Sequence, residues 1–368
     1  MTSRVLHVVA TGERRGAEVF AGDLVGALDG GTEQRVAILR ADGEPRVSYP
    51  APVDVIASRG RKLPGIRVDT RVVRGLRSLI KTWTPDVVQV HGGEPLKHVL
   101  LARSGVPVVY RKIGLAAPRA TRAPFRLGHE HLIRGTNRIV AVADSVRREA
   151  IGTFGAAPDR VVTIPNAVDP TRLANGITRE HVRREMNLDG SQPVLLSLGA
   201  LTWEKDPLAH VEVASRVLSE VPGARHLIVG DGPLRARVEE AVDLAGLRDR
   251  VQLLGSRSDV GSLLRTADVL LLASRTEGMP GCVIEAGLIG TPTAGYAVAG
   301  VEEVVDDGET GLLAAPGDLK GLADRAVRLL RDPELRARLG AAATERSGVF
   351  TIDRVAPRYA ALYQDVIR

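Results

Sequence analysis

With one cysteine in 368 residues, Cys282, the chain cannot close an internal disulfide. That fits a reducing compartment. The lone thiol and eight scattered histidines give no spacing of the structural zinc type, so no metal is expected. Aromatic residues are only 3% of the chain, too few for base-stacking platforms, and nucleic acid is excluded as a partner. No apolar run reaches the roughly 18 residues of a membrane span. A strand-like run starts at Arg4, leaving no room for a signal peptide, so a cytoplasmic location is expected. Lysine is scarce, six against 44 arginines, which reads as the codon bias of a GC-rich, bacterial genome. No GxGxxG or Gly-Lys-Ser/Thr follows the first strand of either half, which disfavours a tandem dinucleotide enzyme and a P-loop.

What is present is a 44% hydrophobic, 26% charged chain, long enough for two domains. Its net charge of +6 is uneven. Residues 1–185 hold 30 Lys and Arg against 18 Asp and Glu, and residues 186–368 hold 20 against 26. A basic first half suggests an anionic partner, unless the charge serves only solubility. Short β-branched runs alternate with amphipathic stretches in two series. The first comprises Val5–Val9, Val36–Leu39, Val53–Ile56, Val87–Val90, Val106–Tyr110, Ile139–Val142 and Val161–Ile164. The second comprises Val194–Leu198, His226–Val229, Val251–Leu254, Val269–Leu272 and Pro292–Ala294. Alternation of this kind predicts parallel sheets covered by helices. The polar stretch Asp169–Pro193 separates the two series. The fold expected is therefore α/β, two Rossmann-like doubly wound domains facing an interdomain cleft. The boundaries are 1–170, with the closing helix 352–368, and 171–351.

Doubly wound sheets bind ligands in the loops after their strands, and four motifs lie there. Glu277-Gly278-Met279-Pro280-Gly281-Cys282-Val283-Ile284-Glu285 follows Val269–Leu272 and opens a helix. Its glycines admit close backbone approach, and the helix N-terminus presents amides to a phosphate. Glu285, one turn in, suits a ribose diol; Glu277 suits a sugar. The plain alternative is a tight strand–helix turn. Leu198 to Pro207 carries Lys205 just before a helix, where an ammonium can neutralise phosphate or simply be solvated. Ala10 to Glu18 places the Gly16 amide at a helix start. Val161 to Asp169 reads as a strand and a turn.

In order, RGAE, IPNAVD, LGALTWEK, LIVGDGPLR, LLGSRSDV, TEGMPGCVIEA and DDGETGLL resemble the retaining glycosyltransferases of family 4, which have the GT-B fold. The resemblance runs from Val5 to about Leu330 and is densest over 194–330. Glu277 and Glu285 match that family's E-x7-E pair. The resemblance implies a transferase moving a hexose-type sugar from a nucleoside diphosphate, a UDP-sugar first and a GDP- or ADP-sugar otherwise. The acceptor hydroxyl would belong to a small or lipid-linked molecule, and neither metal nor cofactor would be needed. Donor residues would be Gly16, Lys205, Arg257, Glu277, Gly278, Met279, Pro280, Gly281, Cys282, Val283 and Glu285. The first domain would hold the acceptor, and the helix Ile352–Ile367 would return to it.

Three positions depart from the family pattern. Ala200 stands where an arginine is usual, and Asn166-Ala167-Val168-Asp169 replaces Asn-Gly-Val-Asp. Tyr110-Arg111-Lys112-Ile113-Gly114 lacks the usual active-site histidine, leaving His91 as the stand-in. Catalytic roles are thus expected for Glu277, Lys205 and His91, and acceptor roles for His91, Arg111 and Lys112. The cations Arg111, Lys112, Arg119, Arg122 and Arg126 follow a predicted strand with no acid between Val106 and His129. Their field would attract a phosphorylated acceptor or an anionic inner membrane face. The alternatives are a GT-B sugar-nucleotide epimerase and an inactive, nucleotide-sugar-binding partner subunit.

Overall fold

The computed structural model describes every residue except 1, 2, 29, 30, 42, 58–67, 103, 117–120, 124 and 175. Two compact units divide the chain: Met1–Ala167 with Ile352–Arg368, and Val168–Thr351. Arg119 lies outside the described residues.

In the first unit the elements run β1 (Ser3–Thr11), α1 (Gly16–Ala27), β2 (Thr32–Arg40), β3 (Val53–Val55), α2 (Thr70–Trp83), β4 (Val87–His91), α3 (Gly93–Ala102), β5 (Val108–Lys112), α4 (Phe125–Arg134), β6 (Arg138–Ala141), α5 (Asp144–Gly152) and β7 (Val161–Thr163). The seven strands pair in the order β3-β2-β1-β4-β5-β6-β7, all parallel. The central strands β1, β4, β5 and β6 are largely buried because helices cover both faces, whereas the edge strand β3 is exposed at Val53 and Val55. The α2 helix starts where the Asp69 side chain accepts from Arg71 N–H, and it stops at Thr84, whose φ is +48°.

The second unit holds α6 (Arg179–Glu185), β8 (Val194–Leu198), α7 (Pro207–Glu220), β9 (Arg225–Val229), α8 (Arg235–Leu244), β10 (Val251–Gly255), α9 (Val260–Thr266), β11 (Val269–Leu272), α10 (Gly281–Ile289), β12 (Thr293–Tyr296), β13 (Gly311–Ala314), α11 (Leu319–Arg331) and α12 (Pro333–Ser347). Its strands run β10-β9-β8-β11-β12-β13, again parallel. That is the 3-2-1-4-5-6 order of dinucleotide-type folds, with its reversal between β8 and β11. The stretch 169–193, expected as a break, contains α6, which packs on α9 inside this unit.

The last helix, α13 (Ile352–Ile367), belongs to the first unit. Its buried face, Ile352, Val355, Ala356, Tyr359, Leu362 and Tyr363, joins Phe20 and Leu24 of α1 in one core cluster. Burying a side chain the size of Phe20 or Leu24 stabilises by about 1.5–3 kcal/mol.

One strand was not foreseen, and one expectation is corrected. The strand β13 had no sequence signal beyond four residues, Gly311 to Ala314, too short a run to distinguish. The strand expected at Val106–Tyr110 runs instead over Val108–Lys112. Arg111 pairs with His91 of β4 in the ladder, and Lys112 with Ala141 of β6. Neighbouring strands on both sides extend the backbone pairing, so both cations are strand residues and not loop residues. Among the described residues no helix is long and apolar enough to cross a membrane.

Candidate active site

In the second unit the two loops at the β8/β11 reversal lie together. The Leu198–Lys205 loop is held by backbone bonds from Gly199 N–H to Val229 O, 3.0 Å, and from Leu201 N–H to Asp231 O, 3.0 Å. A Cβ at Gly230 would lie 1.9 Å from Gly199 O, and Gly230 has φ +132°. Only glycine fits that close approach. The second loop joins the first through Arg275 N–H to Glu204 O, 2.9 Å. Gly300 then lets the chain after β12 rest on this loop, since a Cβ there would lie 1.9 Å from Gly278 O.

Lys205 and Glu277 face each other across these loops. Lys205 Nζ donates to both carboxylate oxygens, at 2.6 and 2.7 Å. Glu277 is 7% exposed, and the Lys205 side chain 29%. Burial pulls the Lys205 ammonium down, but the Glu277 charge and hydrogen bond, with Cys282 and Glu204, together outweigh it, so the group titrates above its ordinary value and stays cationic. Beside them α10 begins at Pro280 with no side chain capping it. A helix of nine residues there presents orphan amides and the positive end of its dipole. Met279 and Pro280 are buried in the turn. Burial pushes the Cys282 thiol up to about 12, so it is a neutral thiol; Lys205, Glu277 and Glu285 all act on it electrostatically. Lys205, Glu277, Cys282 and Glu285 thus form one cluster. Glu285 Oε1 accepts from Arg172 Nη2 at 2.9 Å.

Arg257 is not brought to this cluster by any contact shown. Its guanidinium bonds Asp259 at 2.8 and 2.8 Å and Glu185 at 2.7 and 3.1 Å. These bonds, Asp259 first, raise its pKa. It ties α6 to the segment entering α9, so its charge is already neutralised.

In the first unit Gly16 heads α1, where a Cβ would meet nothing within 4 Å. Glu18 behind it is 2% exposed and accepts from Thr11 N–H and Oγ1–H. Burial raises its carboxyl to about 6. His91 ends β4 at 2% exposure. Gln34 Nε2 donates to Val25 O and Leu28 O, so its Oε1 accepts from His7 Nε2. His7 Nδ1 must then accept from His91 Nε2, at 3.2 Å. The unprotonated His91 Nδ1 is left without a partner among the described residues. Burial, with His7 and Arg111 adding to it, holds the His91 pKa well below 6.5. It is a neutral acceptor at physiological pH.

The expected field from the basic segment is corrected. Arg111 is 2% exposed, lies 3.6 Å from the Phe20 ring centroid and donates to Asn166 at 2.7 Å. Lys112, 5% exposed, meets Glu149 of α5 at 2.5 Å. Arg126 bonds Glu130 at 2.7 Å. The acids come from later in the chain, beyond the window that looked purely basic.

Sequence reading gave no signal for Arg172, one arginine among 44, or for the buried network of His210, Ser197 and His226. Ser197 Oγ lies 2.6 Å from His210 Nδ1 and 2.8 Å from His226 Nε2. His210 Nε2 accepts from Ala273 N–H at 3.1 Å, which anchors α7 to the chain entering the Glu277 loop.

The Glycosyltransferase Family 4 profile matches residues 14–172, and that of glycosyl transferases group 1 matches 178–346. The 2-deoxystreptamine N-acetyl-D-glucosaminyltransferase of Streptomyces fradiae is 30% identical, over 90% of this chain and 87% of that protein. The chain belongs to glycosyltransferase family 4. It is also 29% identical to the 2-deoxystreptamine glucosyltransferase of Streptomyces kanamyceticus, over 83% of this chain and 88% of that one. Among solved structures, Anabaena HepE in complex with UDP and glucose superposes with a TM-score of 0.82 at 18% identity, covering 99% of this chain and 100% of that chain. The glycosyltransferase therefore has the GT-B fold, built from two parallel-sheet Rossmann-like units.

Proposed function

We propose that the enzyme moves a sugar from a nucleoside diphosphate sugar, a UDP-sugar first, to an acceptor hydroxyl with retention and without a metal. The observation that carries this is the Lys205–Glu277 pair beside the uncapped start of α10. In this reading the bond from the sugar C1 to the diphosphate breaks and the bond from the acceptor oxygen to C1 forms. The hydroxyl proton passes to the departing diphosphate on the same face. Lys205 and the backbone N–H groups of residues 278, 279 and 281–283 stabilise the departing charge. Glu277 accepts from sugar hydroxyls, and Glu285 from the ribose diol. HepE, crystallised with UDP and glucose, supports the choice of donor. The aminocyclitol acceptors in the relatives' names support a small polyhydroxylated acceptor. Because the relatives are transferases, neither an epimerase nor an inactive subunit is favoured.

Incubated with radiolabelled UDP-glucose and UDP-N-acetylglucosamine, the protein should release UDP slowly by hydrolysis and faster with an acceptor. The rate should persist in excess EDTA, and the product should keep the donor's anomeric configuration by NMR. A rate abolished by EDTA and restored by magnesium or manganese would sink the metal-free reading. In a melting panel of UDP, GDP, ADP and dTDP, UDP should give the largest shift. At a hundred times Kd a ligand adds about 2.7 kcal/mol to native-state stability. A larger shift with GDP or ADP reassigns the base.

Peripheral docking to an anionic inner-face membrane remains part of the proposal. Arg122 is exposed, as are Phe125 and Leu127 of α4, at 45% and 54%. Arg122→Gln with Leu127→Ser should reduce flotation with phosphatidylserine vesicles and spare kinetics on a soluble acceptor. Equal flotation of the variant and the parent protein removes membrane docking.

A further inference from the structure

The carboxylate offered to the donor ribose is not solitary. Glu285 is 9% exposed, and Arg172 Nη2 donates to its Oε1 at 2.9 Å. Arg172 sits in a short 3-10 turn, Pro170–Leu173, built to hold it. Asp169 caps that turn, accepting from Thr171 N–H at 2.9 Å and Thr171 Oγ1–H at 2.7 Å. Arg265 of α9 donates to Leu173 O at 3.0 Å. Gly261 admits the turn against α9, since a Cβ there would lie 2.1 Å from Leu173 O.

We propose that Arg172 is a positioning residue for donor binding. It holds the Glu285 carboxylate in one orientation, so that the ribose diol meets an acceptor already placed. This rests on the donor reading given above. A carboxylate can accept from a guanidinium and a ligand hydroxyl together, so the contact to Arg172 is compatible with a ribose contact. Pairing in advance also means that ribose binding need not order the side chain. The Asp169 of IPNAVD thereby acquires a role at the donor site, through the turn it caps.

The test is calorimetry on the full-length protein with the best-bound nucleoside diphosphate, its nucleoside and inorganic pyrophosphate. Arg172→Gln should weaken nucleoside and nucleoside diphosphate by a similar factor, about tenfold, and leave pyrophosphate unchanged. Glu285→Gln should do the same, and the double variant should be no weaker than Glu285→Gln alone. Arg172→Lys should recover part of the loss, and it carries the comparison if Arg172→Gln does not fold. Unchanged nucleoside affinity in Arg172→Gln overturns the inference. So does a tenfold loss that persists in the Glu285→Gln background, because Arg172 then acts independently of Glu285. If the parent protein binds no nucleoside diphosphate at all, the donor reading fails and takes this inference with it.

Discussion

Lys205→Ala is expected to weaken nucleoside diphosphate binding by about 1.5–3 kcal/mol, roughly ten- to more than hundredfold, and to reduce turnover at least as much. Two effects add. The ammonium that would face the phosphates is lost. Glu277, 7% exposed and bonded to that ammonium through both oxygens, is left as a buried carboxylate without it and repels the phosphates. The second effect gives the prediction its shape. Lys205→Met with Glu277→Gln should bind UDP more tightly than Lys205→Met alone, while transfer stays low in both because the sugar contact is gone. Calorimetry on the two variants decides it. UDP affinity that is the same in Lys205→Ala as in the parent protein would remove Lys205 from the phosphate site.

A large loss of stability is expected on mild acidification. Burial lowers His210 to about 4 and His226 to about 3 in the second unit, and His7 to about 4 in the first. These imidazoles are neutral when folded and would take a proton near pH 6.5 when unfolded. The unfolded state therefore binds more protons between pH 6.5 and 4, and stability falls with pH through that window. Each such histidine costs about 2 kcal/mol at pH 5 relative to pH 8. In the first unit Glu18 works the other way. Its carboxyl is raised to about 6, so protonation favours the folded state as the pH drops through that value. His91 and His98 are lowered by burial too, so the first unit has three lowered histidines against the opposing Glu18, the second has two with no raised carboxyl among its resolved shifts, and both units should be acid-sensitive. The chain has two tryptophans, Trp83 in α2 and Trp203 in the second unit, so Trp83→Phe leaves a reporter of the second unit alone. Its urea midpoint should fall steeply between pH 6.5 and 5. A midpoint independent of pH over that range would show that His210 and His226 are protonated in the folded state.

The sequence was informative wherever an element carried its own local pattern. Strands such as Val194–Leu198 and Val269–Leu272 are short apolar runs bounded by glycine or polar residues, and they stand in the structure as read. The loops after them could be named as ligand loops before any coordinates, because a doubly wound sheet leaves only those strand ends open. The returning helix Ile352–Ile367 was expected from the family resemblance, and it stands as α13. Reading failed where the deciding partner is far away in the chain. Lys112 looked like a free cation in a basic loop because Glu149, which neutralises it, is 37 residues on. Asn166 looked like a turn residue, and it receives Arg111, 55 residues earlier.

Local spacing and residue type alone determined the two parallel α/β units, the strand ends that carry the motifs and the Glu277/Glu285 pair on one helix start. These depend on periods of two and 3.6 residues and on turn chemistry, which neighbouring residues dictate. Only the tertiary structure decided which charges remain available. It joined Lys205 to Glu277 and Arg172 to Glu285, closed Arg257 onto Glu185 and Asp259, and left His91 a neutral acceptor. The reason is that a charge's state depends on its desolvation and on the opposite charge within a few ångströms. The partners here lie 72 residues apart for Lys205 and 113 for Arg172, separations that carry no pattern in a single sequence.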